Sequence, residues 1–208
     1  MRLTTVGKKA TIAVTQMANN EQLRLVSRKT FMKMMVCLSA LFFSFFVVQA
    51  QQTAAVGKVV SSVKLIDSKN NPKDIPFFGE KVIVLFYNDP DVKDVNDPLS
   101  EALKAKNFSK EKYVGIGIAN CKDTWTPNSA IRMMVRKKEK QFPGTVILLD
   151  EDLSLAKAWG LGNCDGTSVV VVIGKDSKIK FVKKIKTQEE SKLLIPTVVK
   201  IIQDELAK

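Results

Sequence analysis

The chain contains no histidine in its 208 residues. Without an imidazole it has no Ser-His-Asp or Cys-His catalytic arrangement, no histidine-bound metal and no haem held by histidine. It has only three cysteines, Cys37, Cys121 and Cys164, and no two of them form a Cys-x-x-Cys pair. The sequence therefore predicts no metal and no cofactor, and thiol chemistry is the main catalytic class left to consider.

Residues 32–50 have the three parts of a secretory signal peptide. A positive start at Lys33 precedes an apolar run of about 15 residues, and the segment ends in Val48-Gln49-Ala50 with compact residues at the cleavage positions. Because this run is shorter than the roughly 20 residues that span a bilayer, we expect cleavage near Ala50. We then expect a periplasmic or otherwise exported protein without stable membrane insertion. Residues 1–31 fit neither a signal nor a domain, and we interpret them as a non-native or disordered extension.

Removal of the leader changes the charge of the protein. The full chain has a formal charge of +12, but residues 1–50 hold 7 of its 33 basic residues and 1 of its 21 acidic residues, which leaves 26 against 20, or +6. One basic cluster remains in residues 132–140, and no aromatic residue is interleaved with it. Nucleic-acid binding is therefore not predicted, and the cluster is typical of a solvated helix face.

Hydrophobic patterns over residues 57–208 predict one α/β domain. Two continuous apolar runs, Val82–Tyr87 and Thr145–Leu149, indicate strands buried on both faces, and Tyr113–Ala119 is a third such strand. Helices are predicted to alternate with these strands, and Gly166–Lys184 is predicted to form a hairpin. A further strand is predicted at 58–66, and Thr187 begins the last helix with a capping box. We therefore expect a three-layer α/β/α sandwich around a mixed sheet of about five to six strands.

Three motifs in the second half of the domain resemble a known family. They are a basic helix that ends in an aromatic residue and proline, Val135–Pro143, then Ala158-Trp-Gly-Leu161, then the Val-rich hairpin segment Thr167–Asp176. With the signal peptide, they resemble the YtfJ family of exported thioredoxin-like proteins, within the thioredoxin and peroxiredoxin superfamily. The resemblance covers nearly all of residues 57–208 and implies a thioredoxin-like fold.

The chain departs from the superfamily where its chemistry usually lies. A thioredoxin has Cys-x-x-Cys directly after the strand that ends at Tyr87, and a peroxiredoxin has its cysteine slightly later; this chain has Asn88–Asp97 there, without cysteine. The superfamily's proline before the next strand is also missing, since residues 165–168 read Asp-Gly-Thr-Ser. The resemblance therefore transfers no catalytic residue.

Cys121 and Cys164 are the remaining candidates for thiol chemistry. Each adjoins a strand predicted to flank Val82–Tyr87, so both are predicted near the same edge of the sheet. Three alternatives remain: idle thiols, a structural disulfide, or a redox-active pair. A pocket at this edge is predicted from residues in the loops that meet there: Asn88, Asp89, Trp125 and Thr167.

The loop after the first buried strand is rich in aspartate. Its residues Asp89, Asp91, Asp94 and Asp97 resemble a calcium loop only superficially, because Lys93 occupies a ligand position and no glycine follows at the turn. We predict instead a solvated loop that caps a helix.

The sequence thus favours a non-catalytic binding protein of the bacterial envelope that has a thioredoxin-like fold. Its partner is predicted to be another envelope protein or a small ligand. The alternative is a divergent thiol-disulfide oxidoreductase or peroxiredoxin-like protein that uses Cys121 and Cys164.

Overall fold

A mixed sheet runs through residues 53–208, the part of the chain that the computed structural model describes. The predicted extension at 1–31 and signal peptide at 32–50 lie outside the described residues. The sheet has seven strands in the order β2-β1-β5-β4-β3-β6-β7. Their bounds are β1 Leu65–Ile66, β2 Pro72–Lys73, β3 Val82–Asn88, β4 Tyr113–Asn120, β5 Val146–Asp150, β6 Ser168–Ile173 and β7 Ile179–Ile185.

The prediction of five to six strands was slightly too low. The residues expected to form one strand at 58–66 contribute only β1, and a second short strand, β2, follows at Pro72–Lys73. Asp67 explains this, because its Oδ1 accepts hydrogen bonds of 2.8 Å from both Lys69 N and Asn71 N. This side-chain turn brings β2 back onto β1, and Pro72 is tolerated there because β2 is an edge strand.

Four helices cover the sheet in the described region: α1 Asp97–Ala105, α2 Asn128–Gln141, α3 Ser154–Trp159 and α4 Gln188–Leu206. Helices α1, α2 and α4 pack on one face of the sheet, which we call the three-helix face. Helix α3 and the segment before β3 cover the opposite face, which we call the α3 face. The predicted three-layer α/β/α sandwich is therefore confirmed.

Strand β3 is the centre of the core. It pairs in parallel with β4 and antiparallel with β6. Ile83, Leu85 and Tyr87 point to the α3 face, while Val82 and Val84 point to the three-helix face, and each of these five side chains is fully buried. A strand buried on both faces has no polar side, which is why its sequence is a continuous apolar run.

Local capping signals set several helix ends. The Thr187 side chain accepts a hydrogen bond of 3.2 Å from Glu190 N, as predicted for the start of α4, and Gly160 ends α3 in the left-handed conformation with φ of 74°. Helix α2 begins at Asn128, directly after Pro127, and its start has no side-chain cap. Helix α4 continues through Pro196.

Within residues 53–208, no helix combines the length and apolar character needed to cross a bilayer.

Candidate functional site

The loops of the candidate site meet at the edge of the sheet where β3 ends. Since β3 and β4 are parallel and β6 is antiparallel, the ends of the first two and the start of the third lie together. The register places Asn88 opposite Ala119 on one side and Ser168 on the other. The segments that follow β3 and β4 and the segment that precedes β6 therefore form one surface, which we call the β3 edge.

A neutral polar cluster occupies the position after β3. Asn96, just before α1, is only 4% exposed, and its Nδ2 donates a hydrogen bond of 2.6 Å to Asn88 Oδ1 and another to the Ser168 hydroxyl. Asn96 Oδ1 is buried without a hydrogen-bond partner in the described region. Amides and an alcohol without an adjacent base supply no nucleophile, so this cluster gives the edge shape rather than thiol-like reactivity.

Asp89 joins two of the loops at the edge. It is 1% exposed; its Oδ1 accepts a hydrogen bond of 2.9 Å from Asp91 N, and its Oδ2 accepts one of 2.7 Å from Gly166 N. Its own N–H donates to Thr167 O at 3.1 Å. The structure thus brings the predicted residues Asn88, Asp89 and Thr167 together, with Asp89 satisfied by backbone groups as expected for a capping residue.

Trp125 lies apart from these three residues. Its side chain is 98% exposed, in the loop between β4 and α2. The neighbouring Thr124 hydroxyl donates a hydrogen bond of 3.1 Å to Asp91 Oδ1 and so ties this loop to the one after β3. A pocket that includes Trp125 stays a prediction, because the structure shows this indole projecting into solvent.

The two candidate thiols are buried in different parts of the core. Cys121 packs on the three-helix face with Ile131 and Val135, whereas Cys164 packs on the α3 face in the cluster that contains Trp159. Both are free cysteines in the structure. Both cysteines adjoin strands that flank β3, but they pack in clusters on opposite faces of the sheet.

The surroundings of both thiols favour the protonated form. Burial, followed by the charges of Glu151 and Asp150, raises the pKa of Cys121 to about 12. Burial also raises the pKa of Cys164, although Lys184 opposes this effect. Because the thiolate is the nucleophile in thiol-disulfide exchange, neither cysteine is activated in this structure.

A buried pair that the sequence analysis did not single out lies beneath the β3 edge. The Tyr87 hydroxyl donates a hydrogen bond of 3.0 Å to Asp150 Oδ2, which also accepts from Leu155 N at 3.1 Å and Ala156 N at 3.3 Å. Asp150 Oδ1 is buried and has no partner among the described residues, and burial raises the pKa of this carboxyl group. Its position at the end of β5, four residues before a short helix, was the available signal, since a carboxylate near a helix start can accept from the free N–H groups of the first turn.

The described residues do not suggest a metal centre. In the described part of the chain, no group of three or more carboxylate or cysteine side chains is placed to hold a metal ion.

Comparison with known proteins identifies relatives of the chain. The model of a family described as "Bacterial protein of unknown function (YtfJ_HI0045)" matches residues 79–205. An uncharacterized protein of Haemophilus influenzae (strain KW20/Rd) is 28% identical over 111 residues, which is 53% of this chain. The match spans only 58% of that relative's length.

Several solved structures share the fold. A putative thiol:disulfide interchange protein DsbE from Chlorobium tepidum matches 72% of this chain and 99% of its own, with a TM-score of 0.54 and 11% identity. A thiol peroxidase from Chromobacterium violaceum matches 74% of this chain and 88% of its own, with a TM-score of 0.52 and 12% identity. A peroxiredoxin-like protein from Aquifex aeolicus matches 72% and 89%, with a TM-score of 0.51 and 12% identity. At these identities the likeness shows the thioredoxin-like fold and nothing of the chemistry.

Proposed function

The chain belongs to the YtfJ_HI0045 family of bacterial proteins, and we propose that it acts after export as a binding protein of thioredoxin-like fold without thiol chemistry. The export part of the proposal comes from the signal-like composition of residues 32–50. The non-catalytic part is supported by what replaces the usual nucleophile at the β3 edge. Asn88, Asn96 and Ser168 occupy that place and hydrogen-bond to one another.

The observation that carries the proposal is the burial of both remaining thiols in separate clusters. Cys121 is 6% exposed and Cys164 is 1% exposed, and each donates its S–H to a backbone carbonyl within two residues of itself. A thiol that attacks a substrate disulfide must be accessible and must ionise near neutral pH. Burial opposes both requirements at both positions.

A redox titration tests this proposal. The purified protein is equilibrated in glutathione buffers from reducing to oxidising, then treated with a maleimide of known mass before and after denaturation. For protein that lacks residues 1–50, and with them Cys37, we expect two thiols after denaturation at every potential and little labelling of the native protein. A reversible Cys121–Cys164 bridge would overturn the proposal in favour of the thiol-disulfide oxidoreductase alternative.

A second measurement addresses the cellular role. The double variant Cys121→Ser, Cys164→Ser is compared with the unmodified gene in a strain from which the gene has been deleted. We expect the double variant to restore any deletion phenotype fully. Failure to restore it, with normal amounts of folded protein, would contradict a role that is independent of the thiols.

A further inference from the structure

A groove lies between α1 and α2 on the three-helix face. It has a volume of about 1120 Å³. Its floor is the exposed side of β4, with Phe86 of β3 and Ile147 of β5 on either side of Gly117 in the same row. Grooves with a volume of this order and a mainly apolar lining are typical of ligand sites.

Two glycines in β4 create this groove. Gly115 is exposed and Gly117 is half-buried, and neither has the positive φ that requires glycine. A Cβ at Gly115 would meet only the Tyr113 hydroxyl at 3.6 Å, and one at Gly117 would meet Ile147 at 3.4 Å. Strands normally favour β-branched residues, so glycine weakens β4. The backbone conformation does not require glycine at either position. The side chains missing here leave the space that a ligand can fill.

The geometry of the sheet limits the width of the groove. Helix α1 packs over β3, and α2 packs over β5. Since neighbouring strands are about 4.8 Å apart, these two strands are separated by roughly 10 Å. Because the helices pack on the two neighbouring strands, the open floor between them is about one strand, β4, wide. A single extended chain can follow such a floor. From Tyr113 to Ala119 its floor is about 20 Å long at about 3.3 Å per residue.

One end of the groove is basic. Helices α1 and α2 both run away from the β3 edge, and each presents a lysine to the groove near its far end, Lys104 and Lys138. Lys104 Nζ lies 5.5 Å from the centre of the Phe142 ring, so it reaches across the groove toward the segment after α2. In the described region neither ammonium group has an ion-pair partner. The acidic lining residues, Asp97 and Glu101, lie earlier on α1, toward the β3 edge.

Tyr113 adds a hydrogen-bond donor at the basic end. Its ring packs against Phe108 with a centroid distance of 5.3 Å, and its hydroxyl overhangs the floor at Gly115. Among residues 53–208 this hydroxyl makes no hydrogen bond. Two ammonium groups and one hydroxyl therefore line the same end of an apolar channel, which suits an anionic head group on an apolar chain.

We infer that the groove binds a long-chain fatty acid, with its acyl chain on the Gly115–Ala119 floor and its carboxylate at Lys104, Lys138 and the Tyr113 hydroxyl. A free fatty acid matches the groove because it has one chain, whereas a phospholipid has two. The inference deepens the proposed binding function and rests on it. The two can fail separately, because fatty-acid binding and thiol redox cycling are measured independently.

Direct titration tests the ligand class. Protein purified from cells that express the full chain is titrated calorimetrically with tetradecanoate below its micelle concentration, and in parallel with tetradecyltrimethylammonium. We expect one tetradecanoate per chain with a micromolar Kd, and at least tenfold weaker binding of the cation with the same chain. Absence of tetradecanoate binding, or equal affinity for the cation, would overturn the inference.

Variants locate the ligand. Gly115→Val fills the floor while favouring a strand, so we expect at least a tenfold rise in Kd with no fall in melting temperature. Lys138→Glu should raise the Kd at least fivefold, and the double variant Lys104→Glu, Lys138→Glu should raise it at least tenfold. Lys137→Glu makes the same charge change as Lys138→Glu on the same helix but outside this groove, and it should raise the Kd less than twofold. Unchanged binding in Gly115→Val, or an equal loss in Lys137→Glu, would contradict this location.

Other occupants give different results. Sedimentation with phosphatidylglycerol vesicles without binding of free tetradecanoate would show a lipid surface instead. A dimer that Gly115→Val abolishes, again without tetradecanoate binding, would show a second copy of the chain. Either result overturns the fatty-acid inference, while intact thiols in the redox titration would leave the proposed non-catalytic function standing.

Discussion

The Asp150 carboxyl group holds the start of α3 by hydrogen bonds, but its burial makes its ionisation unfavourable. It is 1% exposed and accepts two backbone N–H groups at the start of α3 together with the Tyr87 hydroxyl. All three bonds reach Oδ2, and Oδ1 remains without a partner within residues 53–208. Burial opposes ionisation more than these bonds favour it, so the carboxyl pKa lies above its ordinary value.

This raised pKa predicts a pH dependence of stability. A carboxyl group that ionises less readily in the folded protein does not lower the free energy of unfolding below its unfolded pKa of about 3.9. As the pH rises from there toward its folded pKa, it lowers the free energy of unfolding by a growing amount. Asp150→Asn removes this loss of stability. Urea unfolding at pH 4, 5.5 and 7 should show the stability of the variant, relative to the unmodified protein, increasing with pH.

The exposed Asp165→Asn variant controls for the loss of one negative charge. Its stability relative to the unmodified protein should change little over the same range. If the Asp150→Asn difference were flat as well, the buried carboxyl group would ionise as readily in the folded as in the unfolded chain.

The residue scale also explains why the sequence did not assign the two thiols to a face of the sheet. The sequence shows that Cys121 and Cys164 each adjoin a strand next to β3, and this part of the topology is correct. Alternation along a strand decides which face a side chain takes, and each cysteine lies just beyond a strand, where the sequence does not fix the register. The tertiary structure decides that the two pack in separate clusters.

At the scale of elements, helix α4 depends on its N-terminal cap. The Thr187 hydroxyl accepts from Glu190 N at 3.2 Å, and the Glu190 carboxylate accepts in turn from Lys186 N at 2.6 Å. The reciprocal pair differs from the predicted capping box by one residue, because the carboxylate bonds to Lys186 rather than Thr187. Val198 and Ile202 of the same helix are fully buried, so its start orients a large part of the core.

Removing this cap should destabilise the whole domain. We expect Thr187→Ala to lower the free energy of unfolding by about 1 kcal/mol, since one N–H of the first turn loses its partner. Urea denaturation measures the change. Thr187→Ser keeps an acceptor oxygen and should retain most of the stability; an equal loss in both variants would assign the effect to the threonine methyl group instead.

Strand β4 contains two glycines, Gly115 and Gly117. Glycine inside a strand often marks a place where another backbone or a ligand approaches closely. In the structure the intervening Ile116 and Ile118 are buried on the α3 face, while Gly115 and Gly117 leave the opposite side open. Close packing is therefore absent at the glycines, because α1 and α2 sit over the neighbouring strands.

At the scale of the whole molecule, the order of elements was predictable. Buried apolar runs separated by amphipathic segments require a sheet covered on both faces, and chain connectivity then limits the topology. The short β1–β2 hairpin was missed because two-residue strands carry no periodicity. Its pairing is imposed by the Asp67 turn and by the edge of β5.

Export of the whole molecule is a separate prediction. Protein recovered from the envelope fraction of expressing cells should begin at Gln51 by N-terminal sequencing and intact mass, because Val48-Gln-Ala50 has the compact residues typical of a signal-peptidase site. Ala50→Trp removes the small residue at the cut and should leave a longer chain. Recovery of unmodified protein that retains residues 32–50 would contradict cleavage.

The sequence by itself determined the fold class, the lack of histidine chemistry and the missing nucleophile after β3. These depend on which residue types are present and on their periodicity, both of which are local properties. Only the tertiary structure decided that the two cysteines lie in separate clusters, that Tyr87 and Asp150 form a buried pair, and that a groove lies open over β4. Each of these depends on which segments distant in sequence come within a few ångströms, and packing, rather than local pattern, sets those distances.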